Sequence, residues 1–117
     1  MNPLPYSQAI LYGGVIYISG QVPVDPETLE LVSGGVEAHT RRVLENIKAI
    51  LEDAGSSMEN VLKVTVYLQD VAHFDAMNRV YEAYFPQDPP AWTTVGAQIR
   101  GGRLVEMDAI AALPHEA

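Results

Sequence analysis

Two carboxylates near the end of the chain are the side chains best placed to do chemistry. Glu106 and Asp108 fall in a segment, about residues 103–113, whose apolar side chains occur on both faces of an extended strand. A carboxylate on a buried strand must be hydrogen-bonded, paired or open to a wet cleft. A desolvated carboxylate has a raised pKa and can act as a general acid or base. The alternatives are a structural ion pair with an arginine such as Arg103, or exposure at a sheet edge.

Three further positions offer contacts to a ligand. Tyr6 supplies an apolar wall and a hydroxyl, although a packed aromatic residue that fixes the N-terminal segment fits equally well. Ser19 and Gly20 end a predicted strand, where backbone N–H groups can face a ligand; a turn required by Pro23 explains them equally well. Asn78 lies at the margin of a predicted helical stripe and could bond either backbone or ligand.

Several other kinds of site are disfavoured. His39, His73 and His115 fall on separate predicted elements without ligand spacing, so we do not expect a metal site. Neither a Ser–His–Asp arrangement nor a phosphate-binding glycine loop can be argued from the spacing. The chain has no cysteine, which excludes a thiolate nucleophile, a disulfide and a cysteine-ligated metal.

A short α+β chain must position these residues. Gly13 and Gly14 separate two apolar runs and predict a tight β-hairpin. Gly55 ends the longer predicted helix because glycine takes positive φ without steric cost, and Asp70 is a predicted N-cap. The predicted order is β-β-α-β-α-β-β, with strands at 9–12 and 15–19, a helix at 36–54, a strand at 62–68, a helix after Asp70, and strands at 91–97 and about 103–113.

The last strand also predicts how the sheet is arranged. A strand that is apolar on both sides is normally central in its sheet. Two helices can cover one face of such a mixed sheet and leave the other face bare. Because a bare apolar face must be buried, we expect a symmetric homo-oligomer.

Length and charge limit the class of protein. The 117 residues suit a single domain, residues 1–117. The net charge is −8, and the 7 basic residues are scattered, which argues against a nucleic-acid partner. The N-terminus lacks the pattern of a secretion signal, and no apolar run approaches the ~20 residues of a bilayer span. We therefore expect a cytoplasmic protein without a membrane or nucleic-acid partner.

Four segments together resemble the RidA/YjgF family, also called the endoribonuclease L-PSP or translation initiation inhibitor family. They are Pro5-Tyr6-Ser7-Gln8, Ile18-Ser19-Gly20-Gln21-Val22-Pro23, Asn78-Arg79-Val80-Tyr81-Glu82-Ala83-Tyr84-Phe85, and Pro90-Ala91-Trp92 followed by Val105-Glu106-Met107-Asp108-Ala109. This family is best known for imine and enamine deaminases. The resemblance implies a chorismate-mutase-like fold and a homotrimer, with the sheets packed at its centre and ligand clefts between subunits.

The resemblance also implies a role for each candidate residue. Glu106 resembles the glutamate that positions the attacking water. Tyr6, Ser19, Gly20 and Asn78 resemble residues that contact the ligand in the cleft. Deaminase members hydrolyse a 2-imino acid to a 2-keto acid and ammonia without a metal or organic cofactor, so no cofactor is implied here.

The chain departs from this pattern at one position. Trp92 stands where deaminase members carry an arginine that holds the substrate carboxylate through paired N–H donors, and Thr94 replaces a frequent cysteine. Losing that contact is expected to cost about 2–5 kcal/mol of binding. We therefore expect 2-imino acids to be poor substrates unless Arg100 or Arg103 reaches the cleft. Trp92 would suit a flatter, more apolar or cationic ligand.

Three functions are compatible with these residues. The first is a hydrolytic deaminase in which Glu106 handles water, Tyr6 and Asn78 contact the ligand, and Trp92 sets substrate choice. The second is a trimer that binds or senses a small metabolite without turning it over, which the missing arginine favours. The third, a ribonuclease, is made unattractive by the acidic chain and the dispersed histidines.

Overall fold

Five strands form the sheet, and paired glycines make its tightest turns. The computed structural model describes residues 4–114. The strands are β1 (Ala9–Tyr12), β2 (Val15–Gln21), β3 (Val61–Leu68), β4 (Ala91–Gly96) and β5 (Val105–Ala112). Gly13 and Gly14 join β1 to β2 at φ of 61° and 78°, which confirms the predicted hairpin.

The strand order is β1-β2-β5-β3-β4, with β3 and β4 parallel and the other pairs antiparallel. β5 therefore lies at the centre of the sheet, as its two-sided apolar pattern predicted. Its side chains alternate between a buried face and a half-buried face. We call the second, helix-free side the open face; it carries Tyr17, Tyr67, Glu106, Asp108 and Ile110.

Two helices cover the other side of the sheet. Helix α1 (Val36–Asp53) ends just before Gly55, which has φ of 85°, as predicted. The Asp70 carboxylate accepts a hydrogen bond from the Ala72 N–H (2.9 Å) and caps a short 3-10 turn that leads into α2 (Phe74–Tyr84). A second 3-10 turn, Met58–Asn60, precedes β3.

The core lies between this helix pair and the sheet, which confirms the predicted two-layer arrangement. Its largest fully buried side chains come from both layers: Ile16, Val43, Leu44, Ile47, Leu51, Val64, Val66, Leu68, Met77, Val105 and Met107. Because these residues occupy the i, i+3, i+4 positions of α1 and alternate positions of the strands, the helices can pack on one face only. Within residues 4–114, no helix is long and apolar enough to cross a bilayer.

The open face carries mainly apolar side chains toward β1 and β2 and polar side chains toward β3. Tyr17 of β2 pairs with Ile110 of β5 on one side and with Ile10 of β1 on the other, so three large apolar side chains lie together on this face. Next to them, the Lys63 ammonium donates a hydrogen bond to the Thr93 hydroxyl (2.7 Å). The alternation that buries Val64 and Val66 turns polar residues outward between them, so the face is mixed rather than uniformly apolar.

Candidate functional site

Glu106 lies on the open face beside an irregularity in β2. Between Ile18 and Gln21, β2 has one residue more than β5, so Ser19 and Gly20 form a bulge. The Glu106 carboxylate occupies the space beside Gly20, where a Cβ atom would collide with its oxygen. A side chain at this position would therefore displace the Glu106 carboxylate from where it lies.

A cavity of about 660 Å³ opens beside the bulge. Four of the predicted site residues line it together: Tyr6, Ser19, Gly20 and Glu106. The rest of the wall comes from the segment before β5 and from flanking apolar residues: Leu4, Val22, Gln98, Ile99, Arg100 and Arg103. Both arginines therefore reach this cavity, which could not be decided from the sequence alone.

The two carboxylates of β5 have different surroundings. Asp108 accepts a hydrogen bond from the Tyr67 hydroxyl (2.9 Å), and this bond, together with partial burial, raises the pKa of Tyr67. Glu106 has no hydrogen-bond or ion-pair partner among residues 4–114, so the structural ion pair with Arg103 is not formed. The Asp108 carboxylate is thus occupied by a hydrogen bond within the sheet, whereas the Glu106 carboxylate is available to a ligand.

A tight turn brings the two arginines to the cavity. Gly101 and Gly102 have φ of 77° and 74°, which places Arg100 and Arg103 at the two ends of one turn. Arg103 is half-buried and Arg100 is exposed. The sequence carried a sign of this arrangement, because two arginines flank a Gly-Gly pair that favours a turn with positive φ.

The N-terminal segment is fastened to the bulge. The Ser19 hydroxyl donates a hydrogen bond to the Ser7 carbonyl (2.6 Å), and the Ser19 N–H donates to the Gln8 carbonyl (2.9 Å). These bonds hold Tyr6 over the cavity, where its side chain is 55% exposed. The interpretation of Tyr6 as a packed aromatic residue is therefore wrong for the single chain.

Trp92 and Asn78 line a different cleft, of about 340 Å³, between α2 and β4. The Trp92 indole packs edge-on against Phe74 and Tyr81, with ring centroids 5.7 and 4.6 Å away. The Asn78 amide donates a hydrogen bond to the Glu82 carboxylate (3.0 Å). Trp92 is therefore held by its own chain in an aromatic cluster on the helix side of the sheet.

Two buried hydroxyls near this cleft lack partners within residues 4–114. They belong to Thr94, two residues after Trp92 on β4, and to Tyr81, which lines the cleft. Burial raises the pKa of Tyr81 to about 12. Each of these hydroxyls can therefore form a hydrogen bond that the described residues do not provide.

The predicted site residues thus fall into two groups within one chain. Glu106 is on β5 and faces the open side, whereas Trp92 is on β4 and faces the helices. β3 lies between these strands, so they are about 10 Å apart. One small ligand cannot touch both groups of the same subunit.

His39 forms a buried contact that could not be predicted from the sequence. His39 is 3% exposed; its Nδ1 accepts a hydrogen bond from the Leu104 N–H (3.2 Å), and its Nε2 faces the Val32 carbonyl (3.0 Å). Because a backbone N–H can only donate, Nδ1 is unprotonated and Nε2 carries the proton. The ring ties the residue after Arg103 to the loop before α1.

His73 lines neither the cavity at Glu106 nor the cleft at Trp92. His73 lies in the turn before α2, and His115 lies outside the described residues. Across residues 4–114, no three His, Asp or Glu side chains converge as a metal site would require.

Fold and cavity together define a small α+β protein with a charged cavity beside the helix-free side of its sheet. Comparison with known proteins identifies the family. The sequence profile described as endoribonuclease L-PSP matches residues 2–113. The chain therefore belongs to this family, which is also known as the RidA/YjgF family.

Individual relatives agree in sequence and fold. A RutC family protein of Pyrococcus abyssi is 52% identical over 108 residues, which cover 92% of this chain and 85% of that protein. A 2-iminobutanoate/2-iminopropanoate deaminase of Capra hircus is 48% identical over 109 residues, covering 92% and 79% of the two chains. The crystal structure of RidA from an Antarctic Psychrobacter matches with a TM-score of 0.90 at 39% identity, over 97% of this chain and 92% of that one.

Proposed function

We propose that this protein is a hydrolytic deaminase that converts a small reactive imine or enamine to a carbonyl compound and ammonia. The observation that carries the proposal is the Glu106 carboxylate, which has no partner in the described part of the chain and lies in a cavity shared with Tyr6, Ser19 and Gly20. The Capra hircus relative, named as an imine deaminase at 48% identity, supports the reaction class.

The proposed chemistry needs one general base and one water molecule. Glu106 accepts a proton from water as the oxygen attacks the imine carbon, which gives a carbinolamine. This proton passes from Glu106 to the nitrogen and completes the carbinolamine. Glu106 then carries the hydroxyl proton of the carbinolamine to the same nitrogen, the C–N bond breaks, and ammonia leaves as the carbonyl forms. Atoms balance as imine plus water giving carbonyl plus ammonia, with no change of oxidation state.

We also propose that the working site lies between subunits of a homotrimer. The cavity at Glu106 and the cleft at Trp92 lie on opposite sides of one sheet, so only a second subunit can bring them together. In this arrangement Trp92 and Asn78 of one subunit would complete the wall around Glu106 of the next. Thr94 would lie behind Trp92 on the same strand.

The test is ammonia release from 2-iminopropanoate generated in solution. We expect the wild-type protein to accelerate hydrolysis and Glu106→Gln to lower kcat by about 100-fold, because the amide cannot take the proton from water. Asp108→Asn is the matched control: it makes the same charge change on the same strand and can still accept from Tyr67. Equal rates for Glu106→Gln and wild type would rule out this role for Glu106.

A second candidate is a trimer that binds a small metabolite without turning it over. It is favoured by Trp92, whose indole offers one donor and no charge where deaminase members have an arginine. Saturable binding of 2-oxobutanoate, with no ammonia or keto acid formed from the imine by mass spectrometry, would support this candidate over the first.

A further inference from the structure

We infer that Arg103, assisted by Arg100, binds the carboxylate of the substrate, so that the substrate class is 2-imino acids despite Trp92. The inference rests on the proposed deaminase function and names the substrate of that same site. Arg100 and Arg103, in the segment before β5, thereby determine which substrates bind.

Position is the first argument. Arg103 and Glu106 line one cavity and are three residues apart at the start of β5, so their Cα atoms are within about 10 Å. A 2-imino acid carries its carboxylate directly on the imine carbon. The group that binds the carboxylate and the group that activates water must therefore face the same small space, as these two do.

Charge is the second argument. The chain has a net charge of −8 and only 7 basic residues, yet two of them flank one turn beside this cavity. Within residues 4–114 an ion pair joins Arg79 to Glu37 (3.7 Å), and neither Arg100 nor Arg103 forms one. Two guanidinium groups not neutralised by a neighbouring carboxylate attract an anion to this wall.

The arrangement of the turn is the third argument. Positive φ at Gly101 and Gly102 keeps the two arginines at the ends of a single turn. Arg103 is half-buried, and the His39 ring fixes the backbone of the next residue, Leu104. Arg103 therefore loses less freedom on binding than a fully exposed arginine would, and it is the stronger contributor of the two.

Trp92 does not compete for this role. Its indole is packed against Phe74 and Tyr81 of its own chain and has no charge. A carboxylate placed against it would lose water without gaining a charged partner. In this chain the side chains that bind the carboxylate are therefore the arginines of the turn before β5, and not the residue on β4.

The test compares Arg103→Gln, Arg103→Lys, Arg100→Gln and the double glutamine variant with wild type on 2-iminobutanoate. We expect Arg103→Gln to raise KM by about 10- to 100-fold, since a hydrogen-bonded charge is lost. Arg103→Lys should recover part of this loss because it keeps the charge but not the paired donors. Arg41→Gln, on the exposed side of α1, is the control and should leave kinetics unchanged.

A binding measurement separates this inference from the deaminase proposal. Calorimetry with 2-oxobutanoate and with its methyl ester measures the carboxylate contact without any turnover. We expect wild type to prefer the acid by about 10-fold or more, and the double variant to lose that preference. If the imine is not hydrolysed but the acid preference depends on the arginines, the deaminase proposal fails and the anion site stands.

Two results would overturn the inference itself. The first is hydrolysis of 2-iminobutanoate by the double variant with the KM of the Arg41→Gln control. The second is equal affinity of wild type for the acid and the ester. Melting temperatures within a few degrees of wild type would show that all variants are folded.

Discussion

Glu106 and Asp108 are two residues apart on the same face of β5, yet they have different roles. The Asp108 carboxylate accepts a hydrogen bond from the Tyr67 hydroxyl of the neighbouring strand β3. Glu106 faces a cavity and rests against the backbone of Gly20, without a partner of its own among residues 4–114. The absent side chain at Gly20 is what leaves room for this carboxylate.

Gly20→Ala is expected to impair the reaction more than the fold. The added Cβ meets the far end of the Glu106 side chain, which can swing aside, and Gly20 does not have positive φ. We expect kcat for imine hydrolysis to fall by about 10-fold, with the free energy of unfolding changed by less than about 1 kcal/mol. Steady-state kinetics and urea unfolding measure the two effects.

Gly35→Ala is the control for this substitution. A Cβ at Gly35 meets no atom within 4 Å, and its φ is −94°. It should leave kcat unchanged. Normal kcat in Gly20→Ala would show that the position of the Glu106 carboxylate does not limit the reaction.

At the scale of elements, the site depends on segments that join the strands. The bulge in β2, the turn at Gly101-Gly102 and the loop before α1 all border the cavity or support its wall. His39, from the first turns of α1, connects two of these segments through the Leu104 N–H and the Val32 carbonyl. A buried side chain of a helix thereby holds the wall that carries Arg103.

His39→Leu is expected to destabilise the protein, because it leaves two backbone groups without their partner. The cost should be about 1–3 kcal/mol in the free energy of unfolding, with a higher KM for 2-iminobutanoate because the turn at Arg103 loosens. Urea unfolding and steady-state kinetics measure these changes.

His39→Gln provides the matched comparison. Its amide oxygen can accept from Leu104 and its amide N–H can donate to Val32, so it should lose less stability than His39→Leu. Equal unfolding energies for the two variants would mean that packing, and not the hydrogen bonds, explains the contribution of His39.

At the scale of the whole molecule, the candidate site residues lie on two sides of one sheet. The cavity at Glu106 and the cleft at Trp92 face away from each other across the sheet. The open face presents Ile10 and Tyr17, which are 52% and 45% exposed, next to Ile110. We propose that packing of these faces in a trimer both buries them and completes each site with residues from a neighbour.

Ile110→Asp is expected to weaken this association, because it places a charge at the centre of the open face. We expect sedimentation equilibrium to show a trimer for wild type and a shift toward monomer for the variant, with loss of imine hydrolysis. Leu29→Asn, at an exposed loop position with φ of 63° that asparagine tolerates, is the control. A trimeric and fully active Ile110→Asp would contradict the proposed packing.

Several features were predictable from the sequence because they depend on neighbouring residues only. The hairpin at Gly13-Gly14, helix α1 up to Gly55 and the cap at Asp70 follow from local backbone preferences. The central place of β5 followed from its apolar residues on both faces. Membership of the family was predictable too, since four short segments that resemble the family pattern occur in the same order along nearly the whole chain.

The tertiary structure decided which polar residues are free to act. Nothing local distinguishes Glu106 from Asp108, because the difference depends on Tyr67 from β3 and on a bulge in β2. The same holds for Arg103, whose place beside the cavity is set by the turn and by His39, 65 residues before its hydrogen-bond partner Leu104. Side-chain partners across strands depend on register and packing, which are properties of the folded chain and not of any one segment.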